Sequence, residues 1–242
     1  MAGIVLGIST LKPQMGYLLI PFLLLWAIKQ RRFRFVGVFS GTFIFLLGIT
    51  FVIYPEWLSE WLHRLSVYPS YTLGSPVFLL TQEYLGLGNI AEWATSGILY
   101  ALVLWSWWMI LVKNKNERFM WTLMWTLNIT HIVAPRTASP HFVVFLIAVA
   151  FFASTWRKVY EKGARWRINL MLFTLFLLPW AHFMLTVGGV NGEQEDPSTH
   201  LILPLVMLVI IWFSRKYWWA HAPTIDMVET DEHSPKLAEI EA

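Results

Sequence analysis

The sequence contains no cysteine among its 242 residues. That absence excludes a disulfide framework, cysteine-ligated zinc, iron–sulfur clusters and thiol nucleophiles. Charge is scarce as well: 14% of the residues are Asp, Glu, Lys or Arg, against about 25% in soluble globular domains. With 57% hydrophobic residues and a mean hydropathy of +0.54, the chain is long enough for a sizeable core but too apolar to cover it with a water-compatible shell. The solvent implied is a bilayer. The formal net charge of +3 is an average that conceals a strong partition along the chain.

Asp, Glu, Lys and Arg are absent from seven long apolar runs, near residues 13–28, 35–54, 93–112, 119–134, 142–156, 168–187 and 201–214. Membrane strands would alternate with period two, and these runs are continuously apolar, so helices are expected. The fold predicted is all-α and polytopic, with about seven transmembrane helices. Several runs are shorter than the ~20 residues that cross a bilayer upright, so their connecting loops are expected to dip below the membrane surface. Residues 1–11 are apolar too, but at 1.5 Å per residue they reach about 16 Å, roughly half a bilayer. We read them as a half-span, the end of a helix belonging to a longer protein of which this chain is the C-terminal portion. A signal peptide is a poor fit, because Met1-Ala2-Gly3 offers no basic n-region. No internal repeat is visible, so residues 1–220 read as one transmembrane domain. Residues 221–242 hold six acids against Lys236 and read as a disordered acidic tail.

Orientation follows from the distribution of Lys and Arg. Of the 18 cations, all but Lys12, Arg64 and Arg136 fall in alternate loops or the tail, which places those loops and the C-terminus in the cytoplasm. The expected location is the plasma (cytoplasmic) membrane, multi-pass. Seven acids occupy the outer side: Glu56, Glu60, Glu83, Glu92, Glu193, Glu195 and Asp196.

Cations kept on the disfavoured side raise a functional question. Lys12 directly precedes Pro13-Gln14, and Pro suits the first position of a helix. A helix N-terminus opening outward beside Lys12 would make an anion site; the alternative is a snorkelling lysine. Arg136 sits in Ala134-Pro135-Arg136-Thr137-Ala138-Ser139-Pro140-His141. There Ser139-Pro140 reads as an N-cap with a first-turn Pro, and Thr137, Ser139 and His141 add hydroxyls and an imidazole. The guanidinium fork suits phosphate, or it satisfies loop carbonyls. Taken together, Lys12, Gln14, Arg136, Thr137, Ser139 and His141 are the expected phosphate-binding set.

Arg64 belongs to Glu56-Trp57-Leu58-Ser59-Glu60-Trp61-Leu62-His63-Arg64-Leu65, an amphipathic segment expected to lie in the interface with Glu60 and Arg64 paired. The outer loop spanning residues 54–92 carries Tyr68, Tyr71, Tyr84, Ser75, Gln82 and Glu83. Tyr71, Ser75 and Gln82 are the expected sugar or acceptor contacts, although interfacial aromatic belts account for tyrosines equally well. His131 and His182 are the ionisable side chains within the spans, and interhelical hydrogen bonding explains either. Asn128-Ile129-Thr130 matches a glycosylation acceptor but lies inside a span.

In Leu11-Lys12-Pro13-Gln14, then a span, then Arg31-Arg32-Phe33-Arg34, the Trp-rich Trp57 to Trp61 stretch and Gly74-Ser75-Pro76-Val77-Phe78-Leu79-Leu80, the chain resembles the family 87 glycosyltransferases, also known as the DUF2029 family. The resemblance covers roughly Ile4 to Phe151. It implies a GT-C-like membrane enzyme that transfers a hexose or pentose from a polyprenyl-phosphate sugar to a cell-envelope glycan or lipid acceptor at the extracytoplasmic face. The lipid bilayer and the lipid-linked sugar are the implied partners. No nucleic acid is implied, and no cofactor beyond the donor. A missing N-terminal half or a partner subunit is compatible with it. The Asn-Gln-Ser step common in relatives is absent here, and the catalytic acid of such enzymes lies in a first outer loop that this chain begins after. Glu83 and Glu92 are therefore weak candidates for the base. The alternatives are a transporter or flippase for lipid-linked or anionic substrates, which the acid-free spans disfavour, and a non-catalytic membrane subunit.

Overall fold

The computed structural model describes residues 1–67, 74–134, 143–160, 163–188 and 196–222. These residues are all-helical. The helices are α1 (Ala2–Ser9), α2 (Leu19–Lys29), α3 (Phe33–Ile53), α4 (Trp57–Val67), α5 (Pro76–Phe78), α6 (Gly88–Leu111), α7 (Phe119–Val133), α8 (Leu146–Val159), α9 (Ala164–Leu172), α10 (Leu178–Thr186), α11 (Ser198–Phe213) and α12 (Arg215–His221). Wider π-type turns continue α5 through Leu79–Tyr84 and join α9 to α10 through Phe173–Leu177.

Each of the seven apolar runs contains a helix, but their lengths divide them. By length and composition, α3, α6 and the continuous stretch Ala164–Thr186 can cross a membrane, and α11 with α12, bent by 61°, adds a fourth if the pair is one span. The helices α2, α7 and α8 hold 11, 15 and 14 residues, too few to cross ~30 Å upright at 1.5 Å per residue.

The core is built around α7, in which 13 of 15 residues are buried. Its neighbours are tied to it by indole and amide groups that cannot be left unpaired in an apolar interior. Trp107 of α6 donates its Nε1 to Thr126 Oγ1 at 2.9 Å. Trp121 donates to the Ile211 carbonyl of α11, also at 2.9 Å. The fully buried Asn128 amide reaches into the α11 ladder, accepting from Leu208 N at 3.0 Å and donating to the Pro204 carbonyl at 3.3 Å. The side chain whose neighbours suggested a glycosylation acceptor is thus a strut between helices. Trp121 and Trp125 stack with centroids 5.4 Å apart, and Trp125 meets Trp212 at the same distance.

Two ties show that α2 and α6 run parallel. Tyr17 and Tyr100 share a hydroxyl hydrogen bond of 2.8 Å, and Lys29 Nζ donates to the Ile110 carbonyl at 2.7 Å. The basic ends of these helices therefore adjoin. Trp26 of α2 packs on Phe119 with ring centroids 4.7 Å apart, which brings the start of α7 to the same end. The opposite end, which the partition of Lys and Arg predicts to be the outer end, carries the start of α6 and the last turn of α7.

Helix α1 packs along α3 through a small-residue seam. A methyl group placed on Gly3 would lie 2.8 Å from the Phe35 carbonyl oxygen, and one on Gly7 would lie 2.7 Å from Thr42 Cβ. Only glycine permits that approach, the arrangement by which membrane helices associate without a hydrophobic driving force. Within residues 1–11, Ala2–Ser9 is thus a helix docked on its neighbour.

Candidate functional site

Lys12 and Gln14 lie at the outer end of α2, and both are exposed. The turn after Lys12 is a three-residue 3-10 helix, Pro13–Met15, with Met15 N bonded to the Lys12 carbonyl at 3.1 Å. The α-helix begins only at Leu19. The expected α-helical N-terminus directly beside Lys12 is therefore not formed. Pro21 supplies the reason: a proline is tolerated in a helix's first turn, whereas a helix begun at Pro13 would place Pro21 in its interior, where its ring meets the carbonyl one turn back. The Pro13–Met15 turn packs against α7, which keeps Lys12 and Gln14 near the outer end of the core helix.

The segment from Ser75 to Glu92 folds as a sequence-coded insertion against the same end. Ser75 caps α5, its Oγ accepting from Phe78 N at 3.1 Å, and Pro76 occupies the first turn. The Ser75 hydroxyl, an expected sugar contact, is buried and engaged in that cap. Gly86 and Gly88 have φ of +63° and +74°, the left-handed region that glycine enters at no steric cost. They turn the chain from the π-type segment into α6. Because α6 starts at Gly88 rather than near residue 93, Glu92 stands in the second turn of a helix and not in a loop. It is half-buried, and Gln82 Nε2 donates a hydrogen bond to Glu92 Oε2. Glu83, next to Gln82, is exposed. Among the described residues, Glu92 is the candidate acid held by a neighbour in this way.

A second polar chain lies at the outer end of α10 and α11. Ser198 donates its hydroxyl to Asp196 Oδ1, Ser198 N donates to the same oxygen at 2.8 Å, and His182 Nε2 lies 2.7 Å from Ser198 Oγ. These bonds, the hydroxyl's first, hold the Asp196 carboxyl below the usual carboxylate range. His182, which stood alone in the sequence, is an interhelical hydrogen-bonding histidine. Sequence reasoning missed Asp196 and Ser198. Their signal was Asp196-Pro197-Ser198 ahead of an apolar run, a helix-start pattern, but nothing in it names His182 as the partner.

His131 is buried near the outer end of α7, with Nδ1 2.8 Å from the Leu127 carbonyl. On α4, Arg64 and Glu60 pair at 2.8 Å as expected, and Tyr54 donates to Glu60. The Tyr54 bond, then Arg64, hold Glu60 below its ordinary value. Arg136, Thr137, Ser139, His141, Tyr68 and Tyr71 lie outside the described residues, as do Glu193 and Glu195 and residues 223–242 of the tail.

The model of glycosyltransferase family 87 matches residues 1–140, more than half of the 242 residues. The chain belongs to glycosyltransferase family 87. No curated protein and no solved structure matches it. The family 87 match takes in Lys12, Gln14, Ser75, Gln82, Glu92 and Arg136, whereas Asp196, Ser198 and His182 lie beyond it. Family membership makes this a glycosyltransferase in general terms, and its apolar helices make it a membrane protein.

Proposed function

We propose that the chain acts as a membrane glycosyltransferase that holds a polyprenyl-phosphate sugar at the extracytoplasmic face and transfers its hexose or pentose to a cell-envelope glycan or lipid. The observation that carries this reading is the Gln82–Glu92 pair, which joins the π-type segment to the second turn of α6, at the same end of the fold as Lys12 and Gln14. Transfer of this kind requires an acceptor hydroxyl to lose its proton while the departing phosphate gains charge. Glu92 is the carboxylate assigned to the first task. Gln82 fixes its orientation, Tyr71 is assigned to the acceptor side, and Ser75, whose hydroxyl caps α5, holds the turn that carries Gln82. Lys12, Gln14, Arg136, Thr137, Ser139 and His141 are assigned to the phosphate, since fixed cations stabilise charge that develops on a leaving group. The net excess of Lys and Arg at the opposite end supports the plasma membrane with a cytoplasmic C-terminus.

The test is transfer of radiolabelled sugar from a polyprenyl-phosphate donor by membranes containing the full protein. A new glycosidic bond is expected. Movement of the sugar across vesicles without one would refute the reading. Lys12→Ala and Arg136→Ala are each expected to weaken donor binding roughly tenfold, the scale of one hydrogen-bonded charge.

A further inference from the structure

Residues 84–93 make a sharp apolar turn at the outer end of α6. Leu85, Leu87, Ile90 and Trp93 are 56%, 60%, 86% and 74% exposed, and the run from Tyr84 to Ala91 includes no charged side chain. Gly86 and Gly88, at φ of +63° and +74°, redirect the chain on either side of Leu87. A methyl group on either glycine would meet no atom within 4 Å. Just before the turn, Val77, Leu79 and Thr81 are buried, and their segment packs on α6. One side of the segment is therefore fixed in the core, while Leu85 and Leu87 stand clear of it.

What covers this patch follows from α6. Exposed residues recur along it every three or four positions, at Ile90, Trp93, Gly97, Ala101, Leu104 and Trp108, so they form one stripe down the helix. Leu99, Val103 and Ile110 are buried on the other side, and Glu92, seven residues before Leu99, belongs to that side. Because α6 is long and apolar enough to cross a membrane, the stripe faces lipid. The patch is its unbroken continuation.

Depth is set from the opposite end of the helix. Lys113 Nζ lies 4.8 Å from the Trp108 ring, and an ammonium paired with an indole belongs at head-group level. Counted back from Leu111, the ~20 residues that cross the hydrocarbon reach Glu92. Trp93 then stands at the outer boundary, where indoles concentrate. Gly88 lies about 6 Å further out, which matches one head-group layer of about 5–7 Å.

We propose that residues 84–93 are a membrane-docking element: Leu85, Leu87 and Ile90 insert among the lipid head groups of the outer leaflet, with the amphipathic rings of Tyr84 and Trp93 at the edges. The partner is the lipid surface itself. A docking surface for a protein is bounded by a polar rim, whereas this one runs without a break into the lipid-facing stripe. The inward side of the same turn carries the Gln82–Glu92 pair, which the docking holds at head-group depth. The proposal goes beyond the transferase reading and does not depend on it, since docking needs no donor sugar.

The absence of cysteine from the chain permits a direct test. Single nitroxide labels are placed on Leu87→Cys and Ile90→Cys of the full protein in phosphatidylcholine liposomes, with Leu104→Cys as the mid-span reference and Lys115→Cys as the aqueous one. Collision rates are measured with oxygen, which concentrates in lipid, and with nickel ethylenediamine diacetate, which is confined to water. The oxygen-to-nickel ratio at both test sites is expected to exceed that at Lys115→Cys roughly threefold or more and to fall below that at Leu104→Cys, as head-group depth requires. Two sites, one in the turn and one in the helix, keep the result readable if one variant folds poorly. A ratio equal to that of Lys115→Cys at both sites places the turn in water. Low collision rates with both probes place protein over it, a second copy of the chain included. Either result would overturn the proposal. Because the readout is depth and not sugar transfer, failure here leaves the transferase reading standing, and the reverse holds.

Discussion

Replacing Glu92 by Gln separates a reacting carboxylate from a merely structural one. Glu92 is half-buried on the second turn of α6, and its carboxylate accepts from Gln82 Nε2. A glutamine there retains the shape and an oxygen that still accepts from Gln82, while the charge is lost. A hydrogen bond to a charged group contributes about 1.5–3 kcal/mol when buried, and partial exposure reduces this to about 1 kcal/mol. If the carboxylate served only to hold Gln82, Glu92→Gln would cost under ~1 kcal/mol, and the rate would fall less than about fivefold. A general base contributes about 10²- to 10⁴-fold, or roughly 3–5.5 kcal/mol of the barrier. The two outcomes differ by more than a decade. The assay is the initial rate of sugar transfer at saturating donor, normalised to folded protein by monodisperse elution in detergent. Gln82→Ala serves as the control that removes the partner and leaves the charge, with an expected loss below about tenfold. A Glu92→Gln protein that retains a fifth or more of the wild-type kcat refutes Glu92 as the base.

Three further outcomes follow from the geometry. Gly7→Val places carbon 2.7 Å from Thr42 Cβ, about 1 Å inside ordinary contact, so thermal unfolding in detergent is expected to register a loss of about 1–3 kcal/mol; Gly48→Ala, where nothing lies within 4 Å, is expected to change stability by less than about 1 kcal/mol. Thr126→Val removes the acceptor of the buried Trp107 indole and is expected to cost about 1–3 kcal/mol in the same assay. Glu60 has a folded-state value below its ordinary one, so its support of α4 is fully present above about pH 4.3 and is lost as pH falls through the lower folded value. Hydrogen exchange across residues 57–67 is expected to quicken below that range in the wild type more than in Glu60→Gln.

The phosphate-binding half of the proposed site could be read from the chain because topology acts on composition. Lys12 and Arg136 stand out against a positive-inside background that requires no fold to compute. The Glu60–Arg64 pair is equally legible, since a spacing of four residues within one helical turn fixes it. Ser75 reads as a sugar contact in the sequence, and only the structure makes it the cap of α5. The starts of α2 at Leu19 and of α6 at Gly88 depend on Pro21 and on glycines of positive φ, which the apolar runs do not reveal.

What the sequence by itself determined is the class of molecule: hydrocarbon-compatible helices and the sign of charge in the segments between them. Those properties depend on residues close in the chain. Only the tertiary structure decided which polar groups meet. The Gln82–Glu92 pair, the Asn128 strut, the small-residue seam between α1 and α3, and the Asp196–Ser198–His182 chain all depend on helices brought together by packing or on turns that redirect the chain. In an apolar interior an unpaired polar group is costly, so each must find a partner. Which partner it finds depends on helix register and kinks such as Pro204, and no local pattern encodes those.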